Sequence, residues 1–60
     1  MEFDEVEELR KYRDRKNKTY PQIAKALGVS HISVYNWIKG RRKPSKVARR
    51  LIREYLEDRL

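Results

Sequence analysis

An all-α fold, a compact helical bundle of about four helices, is what the sequence predicts, and three features predict it. Apolar residues recur at three- and four-residue spacing along the chain. Each such run starts at a capping residue and ends near a glycine, an asparagine or a run of charge. No stretch offers the alternating pattern of a strand.

The first helix is expected from Asp4 to Lys16. Asp4 with Glu7 three residues later suits an N-terminal cap, and acids at the start with bases at the end suit the helix dipole. Phe3, Val6 and Leu9 share one face with Tyr12 at its edge, and Glu7 to Lys11 adds a pair one turn apart. Asn17 and Lys18 break the pattern. Thr19-Tyr20-Pro21-Gln22 is a capping box, with proline in the first turn where its missing N–H costs nothing. The second helix runs on through Ile23, Ala24 and Leu27 and stops at Gly28, which can take the left-handed conformation of a helix end.

Ser30 caps a third helix that reaches Lys39 and ends at Gly40. Arg41-Arg42-Lys43-Pro44 then forms a basic loop, and Ser45 caps the last helix, about 46–59. Val47, Ala48, Leu51, Ile52, Tyr55 and Leu56 give that helix a broad apolar stripe.

Composition narrows the function. Sixty residues make one domain, 1–60, with a modest core and no cysteine to staple it. His31 is the only histidine, so no cluster of metal ligands can form, and no cofactor is expected. No convergent carboxylates accompany it, and an enzyme is not expected. The longest apolar run is two residues, which rules out a membrane span and a signal peptide and suggests a soluble, cytoplasmic protein. Few amides among many charges hint at a thermophile. The net charge is +7, and its distribution says more than its size. Between Leu9 and Arg53, fifteen Lys and Arg face the single acid Asp14, whereas the two ends hold eight acids. A one-sign block of this kind on a folded domain points to a polyanion, nucleic acid first and anionic membrane second.

Tyr20 to Lys39 carries a more specific pattern. Counted from Tyr20, apolar residues stand fourth, eighth, tenth, fifteenth and eighteenth: Ile23, Leu27, Val29, Val34 and Trp37. Ala24 stands fifth and Gly28 ninth. All seven places resemble the helix-turn-helix of the Cro and phage-repressor family, and Gly40 to Ser45 looks like that family's stretch after its recognition helix. The resemblance covers about Leu9 to Ser45. It implies a lambda-repressor-like fold with the helix-turn-helix at about 20–39, and binding to double-stranded DNA. Physics supports it independently, because two helices joined by a three-residue turn cross steeply and project the second into a groove wide enough for it.

Taking Val34 as inward and advancing about 100° per residue sorts the third helix. Trp37 and Ile38 fall inside. Ile32, Asn36 and Lys39 point outward, with Ser33 and Tyr35 on the flanks. Asn36 suits an adenine edge and Ile32 a thymine methyl, with plain exposure and core burial as their respective alternatives. Tyr35 either leans on the DNA or covers the core edge. His31 matches a family position that often contacts a base, or simply starts the helix. Base contacts are therefore expected from His31, Ile32, Ser33, Tyr35 and Asn36. Phosphate contacts are expected from Thr19, Tyr20 and Gln22 at the start of the second helix, and from Lys39, Arg41, Arg42 and Lys43 beyond the third.

Two places depart from the family. An acid paired with an arginine of the first helix usually stands where Ile38 is, which leaves Arg10 or Arg13 without that partner. Glutamine usually stands where Tyr20 is. The function expected is a transcriptional regulator, a repressor acting as a homodimer with no small-molecule effector, pairing through Ile52, Tyr55, Leu56 and Leu60 of the last helix. That stripe could instead only close the monomer core. The alternatives are a targeting module of a recombinase or transposase and a basic protein-interaction module. An initial Met and a capped final helix favour a complete chain.

Overall fold

A computed structural model describes residues 4–59. Four helices follow in order among them: α1 (Glu5–Lys16), α2 (Tyr20–Leu27), α3 (His31–Ile38) and α4 (Lys46–Glu57). No strand occurs among the described residues.

The helix ends follow from local chemistry. Asp4 accepts the amides of Val6 and Glu7 through its carboxylate. Glu7 does not reach back to complete a box; it pairs with Arg10, while Lys11 lies 3.8 Å from Glu8. The expected Glu7–Lys11 pair is thus replaced by two pairs at three-residue spacing. Asn17 closes α1 in the left-handed conformation at φ 54°, its amide donating to the Arg13 carbonyl. The capping box of α2 is complete: Thr19 Oγ accepts the Gln22 amide at 3.2 Å, and Gln22 Oε1 accepts the Thr19 amide at 2.9 Å. Gly28 ends α2 at φ 76°, and Ser30 and Ser45 cap α3 and α4.

The core draws on all four helices. Leu9, Ile23, Val34, Ile52 and Leu56 are its most completely buried large side chains. Each is worth about 1.5–3 kcal/mol by removal from water. Tyr12, expected at an edge, is 3 % exposed and belongs to this core. Phe3 lies outside the described residues.

One expectation fails here. Ile52 and Leu56, assigned to a pairing surface, are both 0 % exposed and cannot meet another molecule. The apolar stripe of α4 closes the monomer against α1 and α2. Tyr55 is half-buried, donating its hydroxyl to that of Tyr12 at 3.2 Å with the rings edge to face. Leu60 lies outside the described residues. The apolar side chains that α4 leaves in solvent are Val47 and Leu51.

Candidate nucleic-acid interface

The sequence between Thr19 and Lys43 builds a surface from two short helices and the loop behind them. Ile23, Ala24 and Leu27 of α2 are buried, as are Val34, Trp37 and Ile38 of α3, with Val29 of the turn half-buried. The shared face of the two helices is therefore the apolar one, and it turns the other side of α3 outward. Trp37 is a core side chain at 8 % exposure.

On the outward side, His31 and Lys39 are exposed, and Ile32 is 60 % exposed, which excludes its burial against α1. Asn36 is half-buried. Ser33 is half-buried as well and serves the helix cap, its amide bonded to Ser30 Oγ and its hydroxyl 3.1 Å from the same atom. Tyr35 is half-buried with its ring against Tyr20, centroids 5.3 Å apart and nearly perpendicular. Edge-to-face contact of this kind suits the ring quadrupoles.

The loop after α3 is tied to the helix by its main chain. The amides of Arg41 and Arg42 both donate to the Asn36 carbonyl, at 2.9 and 3.3 Å, and Gly40 donates to Trp37 at 3.1 Å. Gly40 turns the chain at φ 75°. Arg41, Arg42 and Lys43 remain exposed. Arg41 and Arg42 are thereby carried at a fixed height relative to Asn36.

At the other edge, the capping box consumes most of what the start of α2 could offer. Thr19 and Gln22 satisfy one another, Pro21 has no N–H, and the Ile23 amide is bonded to the Thr19 carbonyl. The Tyr20 amide has no acceptor among the described residues. Thr19 and Gln22 are exposed, and Tyr20 is half-buried.

Two arginines of α1 complete the site in ways the sequence did not reveal. Arg10 donates to the Ile38 carbonyl at 2.7 Å while Glu7 holds its other terminal nitrogen. The arginine expected to lack an acid at position 38 thus takes the main-chain oxygen of that residue instead. This places a cation at the negative end of the α3 dipole. Arg13 stacks on the Tyr20 ring, its guanidinium carbon 4.1 Å from the centroid, with Asp14 3.6 Å away. The Tyr20–Tyr35 pair therefore carries Arg13 on one side, with Arg41 5.7 Å and Lys39 5.9 Å from the Tyr35 ring. Neither arrangement could be read from spacing, since each joins residues of different helices.

A family model described as a helix-turn-helix domain matches residues 6–57. The chain belongs to the helix-turn-helix domain family. That membership agrees with the Cro and phage-repressor pattern read at Tyr20 to Lys39, and it makes the chain a DNA-binding domain. No curated protein and no solved structure matches it. At Ile38, the place where an acid was expected, Arg10 bonds the main-chain carbonyl instead. No helix among the described residues is long and apolar enough to cross a membrane.

Proposed function

We propose that this helix-turn-helix domain is a sequence-specific transcriptional regulator, a repressor, that lays α3 in the major groove and acts as a homodimer. In this reading Ile32 packs on a thymine methyl, Asn36 bonds an adenine edge, and His31, Ser33 and Tyr35 contribute at the margins of the base-reading surface. Arg41, Arg42 and Lys43 hold phosphates along one edge, together with Lys39. Thr19, Tyr20 and Gln22 contribute the weaker edge, through the Tyr20 amide and the Gln22 side-chain NH2.

The observation that carries this reading is the division of α3. Its inner side is locked in the core through Val34, Trp37 and Ile38, while Ile32 stands 60 % exposed amid a strongly basic surface. A large aliphatic side chain in that place has no use in water and a direct one against a base pair. The shortness of α3 supports the dimer reading, because one eight-residue helix makes too few base contacts for tight discrimination.

Selection of bound sites from random duplex DNA tests the proposal. A two-fold-symmetric consensus is expected, with half-site centres about 34–36 Å apart. Asn36→Ala should relax one position of each half-site by about 1–3 kcal/mol. Arg42→Ala should weaken all sequences alike and reduce the slope of log affinity against log salt by about 0.9. An Asn36→Ala protein that selects the unchanged consensus would refute the base-reading assignment, and recovery of no preferred sequence would refute the function.

A further inference from the structure

Besides the outward side of α3, the molecule has a cleft of about 680 Å³ where the start of α1, the loop after α3 and the start of α4 meet. A volume of this order suits a small organic molecule rather than a bare ion. Trp37 and Pro44, both buried, and the half-buried Val6 give it an apolar lining.

Charge divides the rest of the cleft. α1 contributes Asp4 and Glu5, whereas the loop and α4 contribute Arg42, Lys43 and Arg49. The acids are already engaged. Asp4 accepts the amides of Val6 and Glu7, and Glu5, 8 % exposed, lies 3.5 Å from Arg53. Arg10, which also lines the cleft, is held by Glu7 and the Ile38 carbonyl. The side chains of Arg42, Lys43 and Arg49 are exposed and have no ion-pair partner among the described residues. What the cleft lacks is therefore negative charge, and a concave wall of one sign concentrates its field on such a ligand.

These positions are set by the main chain. The Arg42 amide donates to the Asn36 carbonyl at 3.3 Å, and the Arg49 amide to the Ser45 carbonyl at 2.9 Å. Pro44 stands between the two arginines with its own φ fixed by the ring.

From this juxtaposition we infer that the cleft binds a nucleoside diphosphate. Its two phosphates meet Arg42, Lys43 and Arg49, where a single carboxylate would leave cations unmatched. Its flat ring lies on the apolar side, edge against the indole of Trp37. Arg42 and Lys43 are also the phosphate holders of the DNA-binding reading, so the regulatory half of the inference rests on that reading. A bound nucleotide occupies both side chains and competes with the duplex, and by linkage the duplex displaces the nucleotide. This replaces the expectation that the protein has no small-molecule effector.

The site is tested without DNA on the full-length protein. Trp37 is its only tryptophan, so its emission reports on the cleft directly. Titration with adenosine 5′-diphosphate should give a saturable change, with pyrophosphate alone and adenosine alone at least about tenfold weaker. Arg49→Gln should bind at least about tenfold more weakly while melting like the parent, and Lys25→Gln, an exposed cation of α2 outside the cleft, should bind like the parent. No saturable change below about 10 mM, pyrophosphate as tight as the nucleotide, or equal losses in the two variants would each overturn the site. At matched ionic strength, nucleotide at about ten times its dissociation constant should weaken duplex binding by the parent about tenfold, and much less by Arg49→Gln. Nucleotide binding that leaves duplex affinity unmoved would overturn the competition. A parent that binds the nucleotide but no duplex would refute the DNA-binding reading and the competition with it, while supporting the site.

Discussion

Replacing Arg10 by methionine isolates the bond between α1 and the end of α3. Methionine keeps the unbranched stem and removes the guanidinium, so lost packing is minimised. Two interactions go. The pair with Glu7 joins side chains that are 46 % and 40 % exposed, which limits it to about 0–1 kcal/mol. The bond to the Ile38 carbonyl is of another kind: its donor is charged, and Ile38 is only 7 % exposed. Such bonds contribute about 1.5–3 kcal/mol, and the lower half of that range applies here because water can enter beside a partly exposed arginine. Arg10→Met should therefore cost about 2 kcal/mol, and Glu7→Gln less than about 1 kcal/mol. At roughly 4–8 °C per kcal/mol for a domain of this size, the first variant melts about 8–16 °C lower. Urea unfolding followed by far-ultraviolet circular dichroism, at unchanged denaturant slope, measures both. If Arg10→Met lost no more stability than Glu7→Gln, the carbonyl bond would contribute nothing and the account of how this chain manages without an acid at position 38 would be wrong.

Asn17 ends α1 at φ 54°, a conformation that costs ordinary side chains about 1–2 kcal/mol. Asn17→Gly should accordingly raise the urea midpoint and Asn17→Ala lower it, and the opposite order would refute the cap assignment. The Tyr55 hydroxyl is pushed up to about 12 from its ordinary value near 10, by burial first and then by the hydrogen bond it donates to Tyr12. Folding thus favours the protonated phenol. Its contribution is fully present below pH 10 and is lost as pH rises towards 12. Ultraviolet titration should show one tyrosine ionising late, and Tyr55→Phe should remove that late step, which a shift caused elsewhere would leave in place.

The parts of this molecule legible in its sequence were those decided within a few residues. Asp4, Thr19, Ser30 and Ser45 stand at helix starts because a short side-chain oxygen meets an amide two or three positions on, and Gly28 ends α2 for an equally local reason. The inward set Ile23, Leu27, Val34 and Trp37 was legible because helical spacing alone assigns it a face. Ile52 and Leu56 were misassigned by the same logic. Spacing shows that α4 has an apolar stripe but not whether α1 and α2 or another molecule covers it. Arg10 on the Ile38 carbonyl and Arg13 on Tyr20 were invisible for a further reason: their partners are a main-chain atom and a ring face, contributed by other helices. The capping box of Gln22 was legible for the same local reason as the other caps, whereas the Ser33 hydroxyl beside Ser30 Oγ was not read from the sequence.

At the leading edge Thr19 and Gln22 are occupied with each other and Arg13 lies over the Tyr20 ring, while the trailing edge carries Arg41 and Arg42 on a backbone bonded to the Asn36 carbonyl. A duplex seated there would be held more firmly on one flank than on the other. Rolling about the gripped strand then becomes the easy motion, and insertion of α3 is what arrests it. In such an arrangement a wrong sequence would not be pushed away; it would be held loosely and left unseated.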